Sequence, residues 1–229
     1  MTINTKTLAA IDIGTNAIRL FISNVEEYPT ETLFKKIAFL RVPIRLGEDV
    51  FTTGEIGQQK RKRLCETMQG FSYIMSAFNV ESYKAYATCA MREARNGKSV
   101  AEQIQKECDL NIEIISGTKE AETIFAGGMN EVVDDDKTYL YVDVGGGSTE
   151  VIVYSKSVKI EACSFPLGTV RMLNDAVDKE EMKHFKKWLK NITEKYTPDA
   201  IIGSGGNINK IHKLLNKKGL NACLLLGIV

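Results

Sequence analysis

Histidine is nearly absent from this chain of 229 residues: it has only His184 and His212. A site built from several imidazoles is excluded, so a metal here must be held by carboxylates. Cysteine is also sparse. Cys65, Cys89, Cys108, Cys163 and Cys223 are odd in number, scattered and free of any C-x-x-C pair. That usage points to reduced thiols in a cytoplasm, most of them small core residues. No apolar run approaches the roughly 18 residues of a membrane span, and MTINTKTLAAIDIG lacks the basic start, apolar stretch and cleavage site of a secretory signal. Net charge is scarce as well: 30 Lys and Arg against 29 Asp and Glu leave +1, which argues against a uniformly basic nucleic-acid binder. The remainder, 44% hydrophobic and 26% charged, suits one large soluble domain or two small ones.

Charge is uneven locally. Glu102 to Asp136 carries ten acids against two lysines, and Lys183 to Lys218 carries nine lysines against Glu194 and Asp199. Solvated helix faces account for such runs; so would a part that holds cations and another that attracts a polyanion.

The chain also repeats itself. LAAIDIGTNAIRLFI (Leu8 to Ile22) is an apolar run, Asp-x-Gly, a small polar turn and a second apolar run. YLYVDVGGGSTEVIV (Tyr139 to Val153) has the same design, with Asp143 in the place of Asp12. Each reads as a β-hairpin, and two of them in one chain predict two related α/β domains, 1–126 and 127–229, meeting at a packed hinge. Leu64, Met68, Phe71, Met75 and Phe78 mark an amphipathic helix. Ser99 and Glu102 offer a capping box before Val100, Ile104 and Cys108. Further helices are expected just after Ser116-Gly117-Thr118 and from Asp178, and short strands at 84–88, 112–115 and 200–202.

Three turns carry anion chemistry. In Asp143-Val144-Gly145-Gly146-Gly147-Ser148-Thr149-Glu150, three glycines let backbone N–H groups converge on an anion, and Ser148 and Thr149 add hydroxyls. Asp143 and Glu150 flank that turn, an arrangement that suits Mg²⁺ beside phosphate. Gly14, Thr15 and Asn16 form the matching turn after Asp12, where plain turn chemistry is an equal account. Gly203-Ser204-Gly205-Gly206-Asn207 follows an apolar strand and opens a helix, a physical anion site. Arg92 has the fork geometry for phosphate oxygens, or for an ordinary ion pair with Glu93 or Glu120. Arg19 could face a cleft or cover the sheet. Cys89 reads as a packing thiol. Glu120, in the first turn of a helix, suits either the helix dipole or a general base, with Glu122 as the competitor.

AAIDIGTNAIRLFI, IRLGEDV, ATCAMREARNG, IISGTKEAETIFAGG, YVDVGGGSTEVIV, SFPLGTVRM and IIGSGGNINKI stand in the order of the exopolyphosphatase/guanosine pentaphosphate phosphohydrolase family, which the chain resembles from about Ala9 to Ile211. The resemblance implies two actin-like (ribonuclease H-like) α/β domains with a cleft between them, and Mg²⁺-dependent hydrolysis of a terminal phosphoanhydride in that cleft. It implies Glu120 as the catalytic residue that activates water, and Asp143 and Glu150 as the metal-organising acids. Gly14, Thr15, Asn16, Arg92, Gly145, Gly146, Gly147, Ser148, Gly206 and Asn207 fall at phosphate-contacting positions. Lys119 stands where the family has the first member of an acidic pair. The ending at Val229 suggests a truncated C-terminal part without an HD-type domain. The implied substrate is inorganic polyphosphate, with guanosine pentaphosphate as the alternative and a non-catalytic polyphosphate or alarmone binder as the third. No nucleic acid and no membrane is expected among the partners, and a homodimer is compatible with the sequence.

Overall fold

The structure, a computed structural model, describes residues 4–126, 134, 136–156 and 158–216. It divides into two compact units, Met1–Ile115 and Ser116–Val229.

In the first unit, β1 (Asn4–Ile13) and β2 (Ile18–Glu27) form the expected hairpin, with Asp12 opposite Arg19. β3 (Thr32–Val42) extends it antiparallel, and β4 (Ser82–Ala87) and β5 (Glu113–Ile114) add parallel strands in the order β3-β2-β1-β4-β5. Alternation in β1 sends Ala9, Ile11 and Ile13 into the core and leaves Asp12 on the opposite face. That core is closed by α2 (Gln58–Ala77), whose Leu64, Met68, Phe71 and Met75 are buried together. Phe78, the last of the predicted stripe, lies just past the helix and is exposed. Two short helices, α1 (Leu46–Thr53) and α3 (Cys89–Glu93), follow β3 and β4. α4 (Gly97–Cys108) buries Val100, Ile104 and Cys108 as its spacing requires. Its N-cap is Asn96, not Ser99. The Ser99 hydroxyl instead donates to the Asn96 carbonyl at 2.9 Å, while the Asn96 amide is held by both polar groups of the Ile56 backbone.

The second unit repeats the plan. β6 (Thr138–Val144), β7 (Thr149–Ser155) and β8 (Val158–Phe165) are antiparallel, and β9 (Ala200–Ser204) runs parallel to β6, giving β8-β7-β6-β9. This matches the first four positions of the other sheet. β7 is buried on both faces because helices cover both. On one face α5 (Gly117–Ala126) sets Ala121 against Tyr139, Tyr141, Ile152, Tyr154 and Ile202. On the other, α7 (Lys179–Tyr196) packs Phe185 and Trp188 edge-on against Phe165, at ring separations of 5.0 and 5.4 Å. The lysines of α7 occupy its solvent side, where Lys183, Lys190 and Lys195 pair with acids, so a solvated helix face explains most of that run. Because α5 packs on β7 and β8, the units divide at Ile115/Ser116, ahead of the boundary expected at 126/127. α6 (Thr169–Leu173) follows β8, and α8 (Gly206–Asn216) follows β9. Among the described residues no helix is long and apolar enough to cross a membrane.

Candidate functional site

Cross-strand pairing sets the centre of the second unit. Asp143 on β6 lies directly opposite Glu150 on β7, so both carboxylates project from one face of the sheet. Two residues along each strand, Tyr141 and Ile152 pack on that same face under α5, which makes it the face covered by the helix carrying Glu120. Glu150 is only 1% exposed. Its Oε1 accepts a 2.8 Å hydrogen bond from the hydroxyl of Ser164, its neighbour across β8. The Tyr141 hydroxyl donates to Ser204 Oγ at 2.6 Å, and burial pushes its phenol well above the usual range.

Glu120 stands half-buried in the first turn of α5. Glu122, its competitor, is engaged elsewhere: Lys159 on β8 holds it at 2.9 Å, and that hydrogen bond lowers its pKa. The Ser116 hydroxyl caps the helix by accepting from the Lys119 N–H at 3.1 Å.

The glycine turn is closed by a Gly145 N–H bond to the Ser148 carbonyl at 2.9 Å. Behind it lies the start of α6. The Gly145 carbonyl accepts from the Thr169 N–H, the Gly146 carbonyl from the N–H groups of Val170 and Arg171, and the Gly147 carbonyl from Arg171 Nε at 2.9 Å. Across a trans peptide each C=O opposes the following N–H. Drawing these three carbonyls toward α6 therefore turns the N–H groups of Gly146, Gly147 and Ser148 the other way, as an anion-binding concavity needs. Gly168 permits this docking, because a Cβ there would collide with the Gly146–Gly147 peptide. The turn after β9 also reaches the site. Gly205 has φ +92°, and a Cβ on it would lie 2.8 Å from Asp143 Oδ1. Asn207 Nδ2 donates to the Val144 carbonyl at 3.2 Å.

The first unit has the same construction with different charges. Gly14 N–H closes its turn on the Ala17 carbonyl, and the carbonyls of Thr15 and Asn16 accept from the N–H groups of Gly47 and Arg45. Opposite Asp12, however, stands Arg19, which forms an ion pair with it. Arg19 thus covers its own hairpin. Protein packing pushes the Asp12 carboxyl upward and Arg19 opposes this; with 43% of the side chain open to solvent, the desolvation is partial. Arg92 Nη1 donates to the Ile115 carbonyl at 2.8 Å, so part of its fork serves the end of β5. Cys89 is buried, with its thiol donating to Glu93 Oε1 at 3.3 Å, in keeping with a packing role.

Asp143, Gly145, Gly146, Gly147, Ser148, Glu150, Gly206 and Asn207 are thus gathered at the strand ends of one unit, with Glu120 on the helix over the same face. Gly14, Thr15, Asn16 and Arg92 belong to the other unit. Among the described residues no cluster of three or more His, Cys, Asp and Glu could hold a metal. The donor set at Asp143 and Glu150 is two facing carboxylates, which fits a hard cation that keeps several waters and takes further oxygens from its substrate. Ser164, Gly168 and Arg171 escaped sequence reasoning. The Leu-Gly pair shared by IRLGEDV and SFPLGTVRM, the two segments that dock behind the turns, is the signal that could have found Gly168.

Residues 22–216 match the model of the Ppx/GppA phosphatase family. Over 168 residues the chain is 32% identical to the bifunctional 3-dehydroquinate synthase/phosphatase of Fusobacterium nucleatum, covering 72% of this chain and 25% of that protein. It is 28% identical over 170 residues to exopolyphosphatase 2 of Mycobacterium tuberculosis, covering 72% and 53%. The chain therefore spans a quarter of the first relative's length and about half of the second's. An exopolyphosphatase structure from Cytophaga hutchinsonii superposes with a TM-score of 0.80 at 24% identity, covering 95% of this chain and 73% of that one.

Proposed function

This chain belongs to the Ppx/GppA phosphatase family, and on that premise we propose that it hydrolyses the terminal phosphoanhydride of inorganic polyphosphate, releasing orthophosphate. Its fold is that of a solved exopolyphosphatase, with two α/β units whose sheets share the order of four strands. The observation that carries the reading is the facing Asp143–Glu150 pair beside a turn whose amides point away from α6, on the sheet face covered by the helix of Glu120.

The roles follow from the chemistry each group can supply. The amides of Gly146, Gly147 and Ser148 bind phosphoryl oxygens, and Gly206 and Asn207 extend that surface at the start of α8. Gly14, Thr15, Asn16 and Arg92 are the first unit's phosphate contacts. Glu120 accepts a proton from water as the water oxygen bonds to the terminal phosphorus. The bridging P–O bond breaks, and its electron pair leaves on a polyphosphate one residue shorter. Asp143 and Glu150 would hold Mg²⁺, whose contribution when bound is neutralisation of phosphoryl charge. Little covalent help is needed, so positioning and charge carry the reaction.

Phosphate release is to be measured from long-chain polyphosphate and from guanosine pentaphosphate side by side, with and without Mg²⁺. Glu120→Gln should lower release by roughly 10²-fold or more, the scale of general-base catalysis, while polyphosphate binding is retained. Turnover unchanged in that variant sinks the assignment of Glu120. Preference for guanosine pentaphosphate replaces the substrate, and tight binding without release in the unaltered protein makes the chain a binder.

A further inference from the structure

We propose that Arg171 is a positioning residue that fixes the direction of the glycine-turn amides, an inference that rests on the phosphate-binding reading of that turn. Among the described residues the buried charged side chains are Glu150 and Arg171, 1% and 9% exposed. A guanidinium is withdrawn from water only when its donors are engaged. Here Nε donates to the Gly147 carbonyl at 2.9 Å, and the backbone N–H of the same residue donates to the Gly146 carbonyl at 3.1 Å. One residue thus anchors two consecutive peptides of the turn.

Its own backbone is held in turn. The Arg171 carbonyl accepts from the N–H groups of Asn174 and Ala176, at 3.3 and 3.0 Å, and Asn174 Nδ2 donates to the Val170 carbonyl at 2.7 Å. Gly168 brings the whole segment against the turn. In the first unit the corresponding carbonyls, on Thr15 and Asn16, are met by backbone N–H groups of Gly47 and Arg45. The buried side-chain donor is what the second unit adds.

Two consequences follow. The Gly147 carbonyl cannot rotate toward the anion without giving up its bond to Nε, so the Ser148 N–H stays presented. The guanidinium's charge also strengthens that bond beyond a neutral one. Arg171→Met removes both while keeping an apolar stem. Arg171→Lys keeps the charge but not the planar fork that directs Nε.

The test uses the full chain, with calorimetric titration of inorganic tripolyphosphate in Mg²⁺ and amide hydrogen exchange across 144–150 and across β1 and β2. Arg171→Met should weaken tripolyphosphate binding about 10-fold or more, the scale of a lost charge-assisted hydrogen bond. Exchange should quicken at Gly146 to Ser148 and stay unchanged in β1 and β2. Arg171→Lys should recover part of the affinity, and it serves alone if the Met variant does not fold. Unchanged affinity and exchange overturn the proposal, as does faster exchange spread evenly over the second unit, which would mean general packing. Binding without phosphate release in the unaltered protein would overturn the hydrolase reading and leave this one standing. No binding at all would overturn both.

Discussion

At the level of single residues, the partner of the aspartate before each turn sets the two hairpins apart. Asp12 faces Arg19 and Asp143 faces Glu150 across the same position of the same turn. An internal ion pair answers the charge in the first case; a pair of carboxylates that suits a cation stands in the second. The cysteines illustrate how burial lowers reactivity. Cys65 is 9% exposed, and desolvation is the chief cause that pushes its thiol up to about 11. Its thiolate is correspondingly rare, so native alkylation at pH 8 should run about 100-fold slower than in the urea-unfolded chain. Site-resolved mass spectrometry reads this directly, and equal rates would contradict the burial. The linkage has a definite sign. The folded state keeps the proton longer, so this contribution to stability is whole below about pH 8.5 and is lost as pH rises from there toward 11. That Cys89 is a packing thiol was legible from the lack of any histidine near it in sequence. The Asp12–Arg19 pair was not, because only strand register brings residues seven apart in sequence into contact.

Among elements, those with a periodic apolar stripe were legible and those without one were not. α2 and α4 announce themselves by spacing, whereas β3 is exposed along most of its length, Leu33, Phe34, Ile37 and Phe39 included, so no alternation marks it. α1 and α6 are too short for a periodic signal and exist because the turns they back need donors for their carbonyls. α2 also supplies a test of propensity free of packing. Gly70 lies inside the helix, and a Cβ there would meet nothing within 4 Å. Gly70→Ala should raise stability by about 0.5–1 kcal/mol through helix propensity. Urea denaturation measures it, and a destabilised variant would mean that the space beside α2 is filled.

For the whole molecule, the consequence of the proposed site is linkage between ligand and stability. A ligand that binds only the folded chain raises stability by about 2.7 kcal/mol at 100 times its dissociation constant. Tripolyphosphate with Mg²⁺ should therefore raise the melting temperature, and a chelator should remove the metal-dependent part of the rise. The double variant Asp143→Asn, Glu150→Gln should lose that part while keeping the part due to phosphate alone. A metal-dependent rise that survives in the double variant would place the cation elsewhere.

Sequence by itself determined the two hairpins, the glycine turns and the α/β alternation, since these follow from period, turn chemistry and a design written twice in one chain. It also carried the family resemblance, because those turns are contiguous in sequence. Only tertiary structure decided which groups share a face and which are already engaged: α5 over the Asp143–Glu150 face, Lys159 holding Glu122, Arg92 turned to Ile115, Arg171 behind the glycines. The physical reason is that register and packing set partners between segments far apart in sequence, whereas local composition reports only what each segment can do.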